Sequence, residues 1–352
     1  MAAPMEDYSS VIADRCPVAG DAGAVVTNSP NGRRCLLKVL RTIIYSIVVV
    51  FLFWQIWRVR NGLGESLSSV GWSAVGLAVG FTVVGTAPGF FGWRLLVAGT
   101  GVRLTISDAA WVFFLSGVTV YLPGGIWPPI VQAALARRVG APASRLMAAG
   151  LITLVMTMLS GGIVGLVAVP HLAAGNPMWW LSVPLVLSAA GAVILVPRLL
   201  TRLLGLGQRI LRRGEHEIVL PTGRTTMGVV ALNVLGWCCN GTHAVILAVA
   251  LGAPPASAMT LGIGGFVLSA IAGALSQAPA GLGVREVVLG LTLGVLVSGP
   301  DLIVLLLLSR FVTTLGHVIA TLGVLGVLAG TRFVTARRGA AQTSPARSLT
   351  RE

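Results

Sequence analysis

Residues 276–288 read SQAPAGLGVREVV, and this stretch decides how the chain folds. It packs three turn-forming residues into five positions: Pro279, Gly281 and Gly283. Arg285 and Glu286 follow directly, although long apolar runs flank the stretch on both sides. Inside a membrane, the backbone groups of an irregular turn must be satisfied by protein or by a water-filled cavity. An irregular, charged turn between apolar runs therefore predicts a functional site at membrane depth.

The composition of the whole chain agrees with a membrane location. Of the 352 residues, 55% are hydrophobic and 10% are charged, and the mean hydropathy is +0.89. A water-soluble domain of this length does not need so much apolar surface, so we predict a helical membrane protein with several spans. The net charge is +14. Because the arginines lie in short segments between apolar runs, they predict contact with anionic head groups and exclude a nucleic-acid partner.

The apolar runs predict an all-α integral membrane protein with eight to nine apolar segments, of which six are full spans and the others form two hairpins broken by glycine and proline. The six spans are predicted at residues 40–57, 70–93, 146–169, 178–196, 227–251 and 302–330. Basic residues at alternate ends of these runs place both termini in the cytoplasm. We therefore expect a multi-pass protein of the cell membrane.

The flanking segments differ in composition from the apolar region. Residues 1–35 and 333–352 are predicted to be disordered cytoplasmic tails on either side of a transmembrane domain at 36–332. Within that domain, residues 198–213 place arginines on one sector of a helix and leucines on the rest. This pattern indicates a basic amphipathic helix at the cytoplasmic interface, and a solvated basic loop is the alternative.

Two turns interrupt the apolar runs, one in each half of the chain. Residues 121–127, YLPGGIW, form the first elbow, and residues 279–283, PAGLG, form the second elbow. A hairpin turning at the first elbow keeps Arg137, Arg138 and Arg145 in the cytoplasm, whereas an ordinary span with a tight outer loop places them outside.

The segment around the second elbow starts and finishes on the outer side, as a pair of full crossings or as a hairpin dipping in from outside. Elbows that enter from opposite faces in corresponding halves are typical of an inverted repeat with a transporter-type binding site.

The elbows supply the candidate substrate-binding residues. An unpaired charge inside a membrane is costly, so Glu286 is expected to pair with Arg310, which lies about 13 Å into the last span. That pair is either a structural staple or part of the site. Arg285 is left over for a phosphate, which a guanidinium binds with two donors, and the glycine amides suit an anion. Tyr121 and Trp127 are either amphipathic walls of the site or interface anchors. The full set is Tyr121, Pro123, Gly124, Gly125, Trp127, Pro279, Gly281, Gly283, Arg285, Glu286 and Arg310.

Enzyme motifs are scarce in this sequence. There is no nucleotide-binding glycine fingerprint, no His/Glu metal pattern and no nucleophile elbow, and the four cysteines lack metal-ligand spacing. We therefore predict no catalytic residue, no metal and no cofactor. His317 lies seven residues after Arg310 on the same helix face, close to the polar site, but we do not count it among the candidate site residues.

The two elbows, together with WRLL at residues 93–96, resemble the transmembrane region of lysylphosphatidylglycerol synthases. The similarity covers about residues 38–332 and is carried mainly by YLPGGIW and by PAGLGVRE at residues 279–286. The resemblance implies a flippase-like membrane domain that moves a modified anionic phospholipid between leaflets. The soluble aminoacyl-transferase domain of that family is not expected here, so the resemblance does not carry over its enzymatic step. The second elbow reads Pro-Ala-Gly where the family more often has Pro-Gly-Gly.

These observations favour a flippase or transporter for an anionic phospholipid or a polyprenyl-linked lipid. Transport is then facilitated exchange or is coupled to an ion gradient, with Glu286 as the candidate proton carrier. Two alternatives remain: a non-catalytic membrane subunit that partners a lipid-modifying glycosyltransferase or synthase, and an integral-membrane lipid transferase that uses Glu286. The sequence indicates no particular oligomeric state.

Overall fold

The computed structural model describes residues 69–122, 125–175, 223–276 and 278–342, except for the side chains of Pro279 and of residues 332–342. All regular secondary structure in these ranges is helical. Five helices among the described residues are long and apolar enough to cross a membrane. The prediction of an all-α integral membrane protein is therefore confirmed.

Several sequence predictions fall outside the described residues. They are the spans at 40–57 and 178–196, the interfacial helix at 198–213, the tail at 1–35, the last ten residues of the tail at 333–352, and the elbow residues Pro123 and Gly124.

Nine helices are described, with residues 176–222 between the fifth and the sixth lying outside the described ranges. Three of them continue into a short 3-10 turn, at Val118–Tyr121 after α2, at Ala136–Val139 after α3 and at Leu166–Ala168 after α4. The helices are α1 (Trp72–Gly99), α2 (Ile106–Gly117), α3 (Trp127–Leu135), α4 (Ala143–Gly165), α5 (Val169–Gly175), α6 (Gly223–Ala250), α7 (Pro255–Leu275), α8 (Val284–Leu293) and α9 (Pro300–Gln342).

Small residues bring the long helices close together at the centre of the bundle. Helix α1 runs antiparallel to α6 along most of its length. Where they cross, a β-carbon at Gly85 would lie 3.1 Å from the backbone nitrogen of Asn240. Helix α7 packs on α6 in the same way, because a β-carbon at Gly241 would lie 2.8 Å from the Cα atom of Ile263. Within a membrane, where lipid competes for apolar surface, such close backbone packing is a main source of helix association.

The first hairpin consists of α2 and α3, and both arms are short. The apolar stretch Ile106–Tyr121 has 16 residues and α3 has nine. At a rise of about 1.5 Å per residue these arms are about 24 Å and 14 Å long, less than the roughly 30 Å of a hydrocarbon core. A buried polar contact fixes them to α1: the Trp93 indole N–H donates to Gln132 Oε1 at 3.0 Å, and Gln132 Nε2 donates to Ser116 Oγ at 3.2 Å. Both arms therefore turn back within the bundle.

The second hairpin consists of α7 and α8, and its arms are unequal. Helix α7 has 21 residues and is long enough to cross a membrane, whereas α8 has ten and is about 15 Å long. The short return arm agrees with a broken hairpin rather than a pair of full crossings. The side of the membrane from which each hairpin enters stays a prediction.

Helix α9 is the element on which both hairpins converge. Its apolar part is Pro300–Thr331, and the residues that meet the elbows, between Arg310 and His317, lie about halfway along it. The turn Val118–Tyr121 also contacts the turn Pro279–Gly281 directly. The two elbows are thus brought together in the interior of the bundle, beside the middle of α9.

The end of α9 corrects one sequence boundary. We placed the carboxyl-terminal tail at 333–352, but the helix continues to Gln342. The alanines and arginines of this segment are strong helix formers, so the helix continues beyond the apolar stretch.

The close packing of α6 on α7 yields a testable prediction. A Gly241→Ala substitution should lower the free energy of unfolding by about 1–3 kcal/mol, because the added methyl group displaces the α7 backbone. The measurement is the melting temperature of the purified proteins in detergent. Gly80→Ala is the matched control, since a β-carbon at Gly80 in α1 has no heavy atom within 4 Å. Equal melting temperatures for both variants would contradict the close helix contact.

Candidate functional site

The second elbow is a left-handed turn between α7 and α8. Ala280, Gly281 and Gly283 all have positive φ, at 51°, 68° and 83°. A β-carbon at Gly281 would lie 2.7 Å from the Cα atom of Gly273, so this position also needs glycine for close approach to α7. Left-handed backbone is favourable for glycine and costly for alanine. The glycines of the sequence motif therefore have a geometric role in forming the turn.

The backbone amides of the elbow glycines are already engaged. The Gly281 N–H donates to the carbonyl oxygen of Ala278 at 2.9 Å, and the Gly283 N–H donates to Glu286 Oε2 at 2.7 Å. The second of these bonds is the carboxylate half of a capping box at the start of α8. The prediction that these two amides point toward an anion is therefore wrong in this conformation, because the local turn bonds use them first.

Glu286 and Arg310 form the ion pair that the sequence predicts. Glu286 Oε1 accepts from Arg310 Nη1, and Arg310 Nη2 donates to the carbonyl oxygen of Ala280 at 3.1 Å. The side chains are 19% and 13% exposed respectively, so the pair is largely shielded from solvent. Arg310 thus ties both α8 and the second elbow to α9.

Arg285 is not part of this ion pair and has different partners. Its guanidinium lies 5.0 Å from the centre of the Phe266 ring, and Nη2 donates to Thr313 Oγ1 at 3.5 Å. Within the described part of the chain, Glu286–Arg310 is the one ion pair, so Arg285 has no carboxylate partner there. A partly buried guanidinium held by an aromatic face and one hydroxyl keeps most of its donors for a ligand.

A buried polar layer supports Phe266 and Thr313 from behind. His243 packs edge-on against the Phe266 ring with centroids 4.7 Å apart, and its Nε2 bonds to Ser309 Oγ at 2.8 Å. Its Nδ1 bonds to the carbonyl oxygen of Asn240, so the ring orientation is set on both sides. His243, Ser309 and Thr313 are all buried. This layer fixes the surface on which the Arg285 guanidinium rests.

Tyr121 carries the first elbow into the same cluster. Its hydroxyl bonds to His317 Nδ1 at 3.2 Å, and its turn, Val118–Tyr121, contacts the turn Pro279–Gly281. Gly125 has a φ of 52° and belongs to the turn itself. Trp127 begins α3 and is 37% exposed, which agrees with its alternative interpretation as an interface anchor. Of the predicted residues on the first elbow, Tyr121 is the one that the described structure brings to the second elbow.

The sequence analysis did not identify Phe266, His243, Ser309 or Thr313 as site residues. A usable signal was present in α9, where Ser309, Thr313 and His317 recur every four residues in a largely apolar helix. That spacing puts them on one helix face. Among the described residues, no three His, Cys, Asp or Glu side chains converge as metal ligands would.

A comparison with protein families matches residues 39–321 to the family described as the lysylphosphatidylglycerol synthase TM region. The chain belongs to this family. Both elbows and the middle of α9 lie within the matched residues. Comparisons with curated proteins and with solved structures found no match. Membership of the lysylphosphatidylglycerol synthase TM region family indicates a membrane protein with a lipid-related function.

The left-handed Ala280 gives a prediction for the second elbow. Ala280→Gly should stabilise the protein by about 1 kcal/mol, because glycine adopts a positive φ without the penalty that a β-carbon carries. The melting temperature in detergent measures this. Ala278→Gly, two residues earlier where φ is not positive, is the control and should be neutral or destabilising. If both variants change stability alike, Ala280 does not adopt the left-handed conformation.

The ion pair gives a second prediction for this site. Glu286→Gln and Arg310→Gln should each destabilise the protein by up to about 3 kcal/mol, because each leaves an unpaired charge in a shielded position. The double variant should be less destabilised than the sum of the singles by at least about 1 kcal/mol. Glutamine is chosen at position 286 because its side-chain oxygen can keep the capping bond from the Gly283 N–H. Additive melting shifts across the four proteins would contradict a direct pair.

Proposed function

We propose that the protein moves an anionic phospholipid or polyprenyl-linked lipid between the two leaflets of the membrane, with the lipid phosphate bound at Arg285. The observation that carries this proposal is a guanidinium without a carboxylate partner in the described structure, held where the two elbows meet beside the middle of α9. A headgroup that moves between leaflets must cross the membrane interior. A fixed positive charge there lowers the free energy of placing a phosphate at that depth.

The start of α8 adds to the attraction for an anion. Arg285 lies in the first turn of α8, where the backbone N–H groups lack intrahelical partners and the helix dipole is positive. Although Glu286 takes the Gly283 amide, the remaining first-turn amides are directed toward the same end of the helix. A phosphate at Arg285 therefore gains from the guanidinium and from the helix terminus together.

The state of Glu286 favours transport over transferase chemistry. One carboxylate oxygen of Glu286 accepts from Arg310 and the other from the Gly283 N–H. A general base needs a free oxygen directed at its substrate. The same engagement weighs against Glu286 as a proton carrier, and it supports facilitated exchange as the simplest mode of transport.

Arg285→Gln is the variant that tests the proposal. In liposomes with acyl-labelled fluorescent phosphatidylglycerol, the purified protein should speed leaflet exchange, measured by quenching of the outer leaflet. Arg285→Gln should slow it by at least about tenfold, which corresponds to roughly 1.4 kcal/mol of lost phosphate binding. Arg285→Lys should show an intermediate rate, since it keeps the charge and loses the two-donor geometry.

The control is Arg103→Gln, which removes an exposed arginine between α1 and α2. It should exchange lipid at the rate of the unaltered protein. A normal rate for Arg285→Gln would overturn the assignment of the phosphate to Arg285. Absence of exchange by the unaltered protein with every anionic lipid would favour the alternative of a membrane subunit for a lipid-modifying enzyme.

A further inference from the structure

Helix α9 carries a polar face that extends from the elbows in one direction. Its members are Arg310, Thr314, His317 and Thr321, and we call these four residues the polar face. Their spacing of four, three and four residues puts them within one sector of the helix. Toward the start of α9, by contrast, residues 302–308 are all apolar. The polar face therefore begins at the site and runs about 16 Å toward the carboxyl end of α9.

The polar face lies at the boundary between the core and the lipid-facing side of α9. Its four residues are all half-buried. On one side of it Val312 and Ala320 are buried, and on the other side Val318 and Leu322 are 43% and 64% exposed. A headgroup that follows such a boundary can bind polar side chains while its tails stay in the adjacent lipid.

The first hairpin borders the polar face. Tyr121, at its tip, bonds to His317 at 3.2 Å, and α2 also packs against α9. Thr321 lies one turn beyond this contact. In the described part of the chain the Thr321 hydroxyl has no hydrogen-bond partner, whereas the Thr313 hydroxyl bonds to the carbonyl oxygen of Ser309 at 2.9 Å. Helical threonines in apolar surroundings usually bond to their own helix, so the Thr321 hydroxyl is available to a ligand.

The opposite direction along α9 is closed by apolar packing. Val304, Leu305 and Leu308 are buried there. They belong to one apolar cluster with Leu289 and Leu293 of α8. In this conformation α9 therefore offers a headgroup hydrogen bonds toward its carboxyl end and none between the site and its start.

The end of the bundle to which the polar face leads is basic. Helix α9 runs parallel to α1, because Val304 shares a cluster with Val75 near the start of α1, and Ala320 shares another with Val97 near its end. The guanidinium of Arg145 lies against the loop that follows α1. Positive charge at a membrane interface attracts anionic headgroups, so an anionic lipid is concentrated at this end.

From these observations we infer that the lipid headgroup reaches Arg285 along the polar face, from the leaflet at the carboxyl end of α9. This inference rests on the proposed function and adds to it a direction of loading and three binding residues. The hydroxyl and imidazole groups of Thr314, His317 and Thr321 donate to phosphate oxygens and bond to headgroup hydroxyls. These three residues lie outside both elbow motifs.

The first experiment measures which positions on α9 are reached by water. Thr321→Cys, Leu322→Cys and Leu308→Cys are made in the full-length protein and placed in liposomes with an anionic, water-soluble methanethiosulfonate on both sides. Peptide mass separates each new cysteine from the four native ones. Thr321→Cys should react at least about tenfold faster than the other two, because a thiol ionises and reacts only where it is hydrated. Leu322→Cys is the matched control, since it has the same depth and faces lipid.

The outcomes separate this inference from the proposed function. Equal rates for Thr321→Cys and Leu322→Cys would overturn the inference, and so would a Leu308→Cys rate as fast as that of Thr321→Cys. Because the reagent reports hydration and not transport, either result leaves the proposed function standing if the protein exchanges lipid. The expected labelling pattern in a protein that exchanges no lipid would refute the proposed function instead.

The second experiment tests whether the headgroup uses Thr321. Thr321→Val keeps the shape of the side chain and removes the hydroxyl, so exchange of tail-labelled phosphatidylglycerol should slow by about fivefold, the effect of one hydrogen bond. Thr321→Ser should restore most of the rate. The control is Thr153→Val in α4, whose hydroxyl bonds to the carbonyl oxygen of Ala149 at 2.8 Å, and it should exchange at the unaltered rate. An unchanged rate for Thr321→Val would remove Thr321 from the route. If Thr321→Val does not fold, the labelling rates decide the inference.

Discussion

The contact between Arg310 and the second elbow is the constraint on which the site depends. A turn with left-handed backbone and a helix start both expose polar groups, and one guanidinium satisfies a carboxylate and a carbonyl oxygen of that turn together. Because charges in a membrane interior must be paired or solvated, this contact holds the elbow at a fixed height on α9. With Arg310 and Glu286 occupied by each other, Arg285 can be presented to a ligand.

The site is built in layers around that contact. Phe266 and Thr313 receive the Arg285 guanidinium, and His243 with Ser309 supports them from the core. The first elbow closes the other side through Tyr121 and His317. Each layer joins α9 to a different element, namely α7, α6 and the first elbow, so the geometry at Arg285 reflects the packing of several helices rather than the local turn alone.

The sequence predicted the parts of this arrangement that follow from the free-energy cost of an isolated charge in a membrane or of a poorly fitting residue in a turn. Glu286 and Arg310 pair because an isolated charge at that depth is unfavourable, and glycine and proline mark the elbows because other residues fit those turns poorly. Phe266 escaped notice because a phenylalanine in an apolar helix looks like any lipid-facing residue until the helix rotation is known. The glycine amides were assigned to a ligand because hydrogen bonds that close within the turn cannot be seen from residue types. The predicted start of the carboxyl-terminal tail at residue 333 was wrong because an apolar run marks the thickness of the membrane and not the length of the helix.

The length of α9 has a mechanical consequence. One uninterrupted helix of 43 residues touches both hairpin tips, at Arg310 and at His317, less than two turns apart. A rigid helix in contact with two hairpin tips couples them, because a small change in its inclination displaces both tips together. For the proposed transport, this coupling would make the two hairpins move in step rather than one at a time.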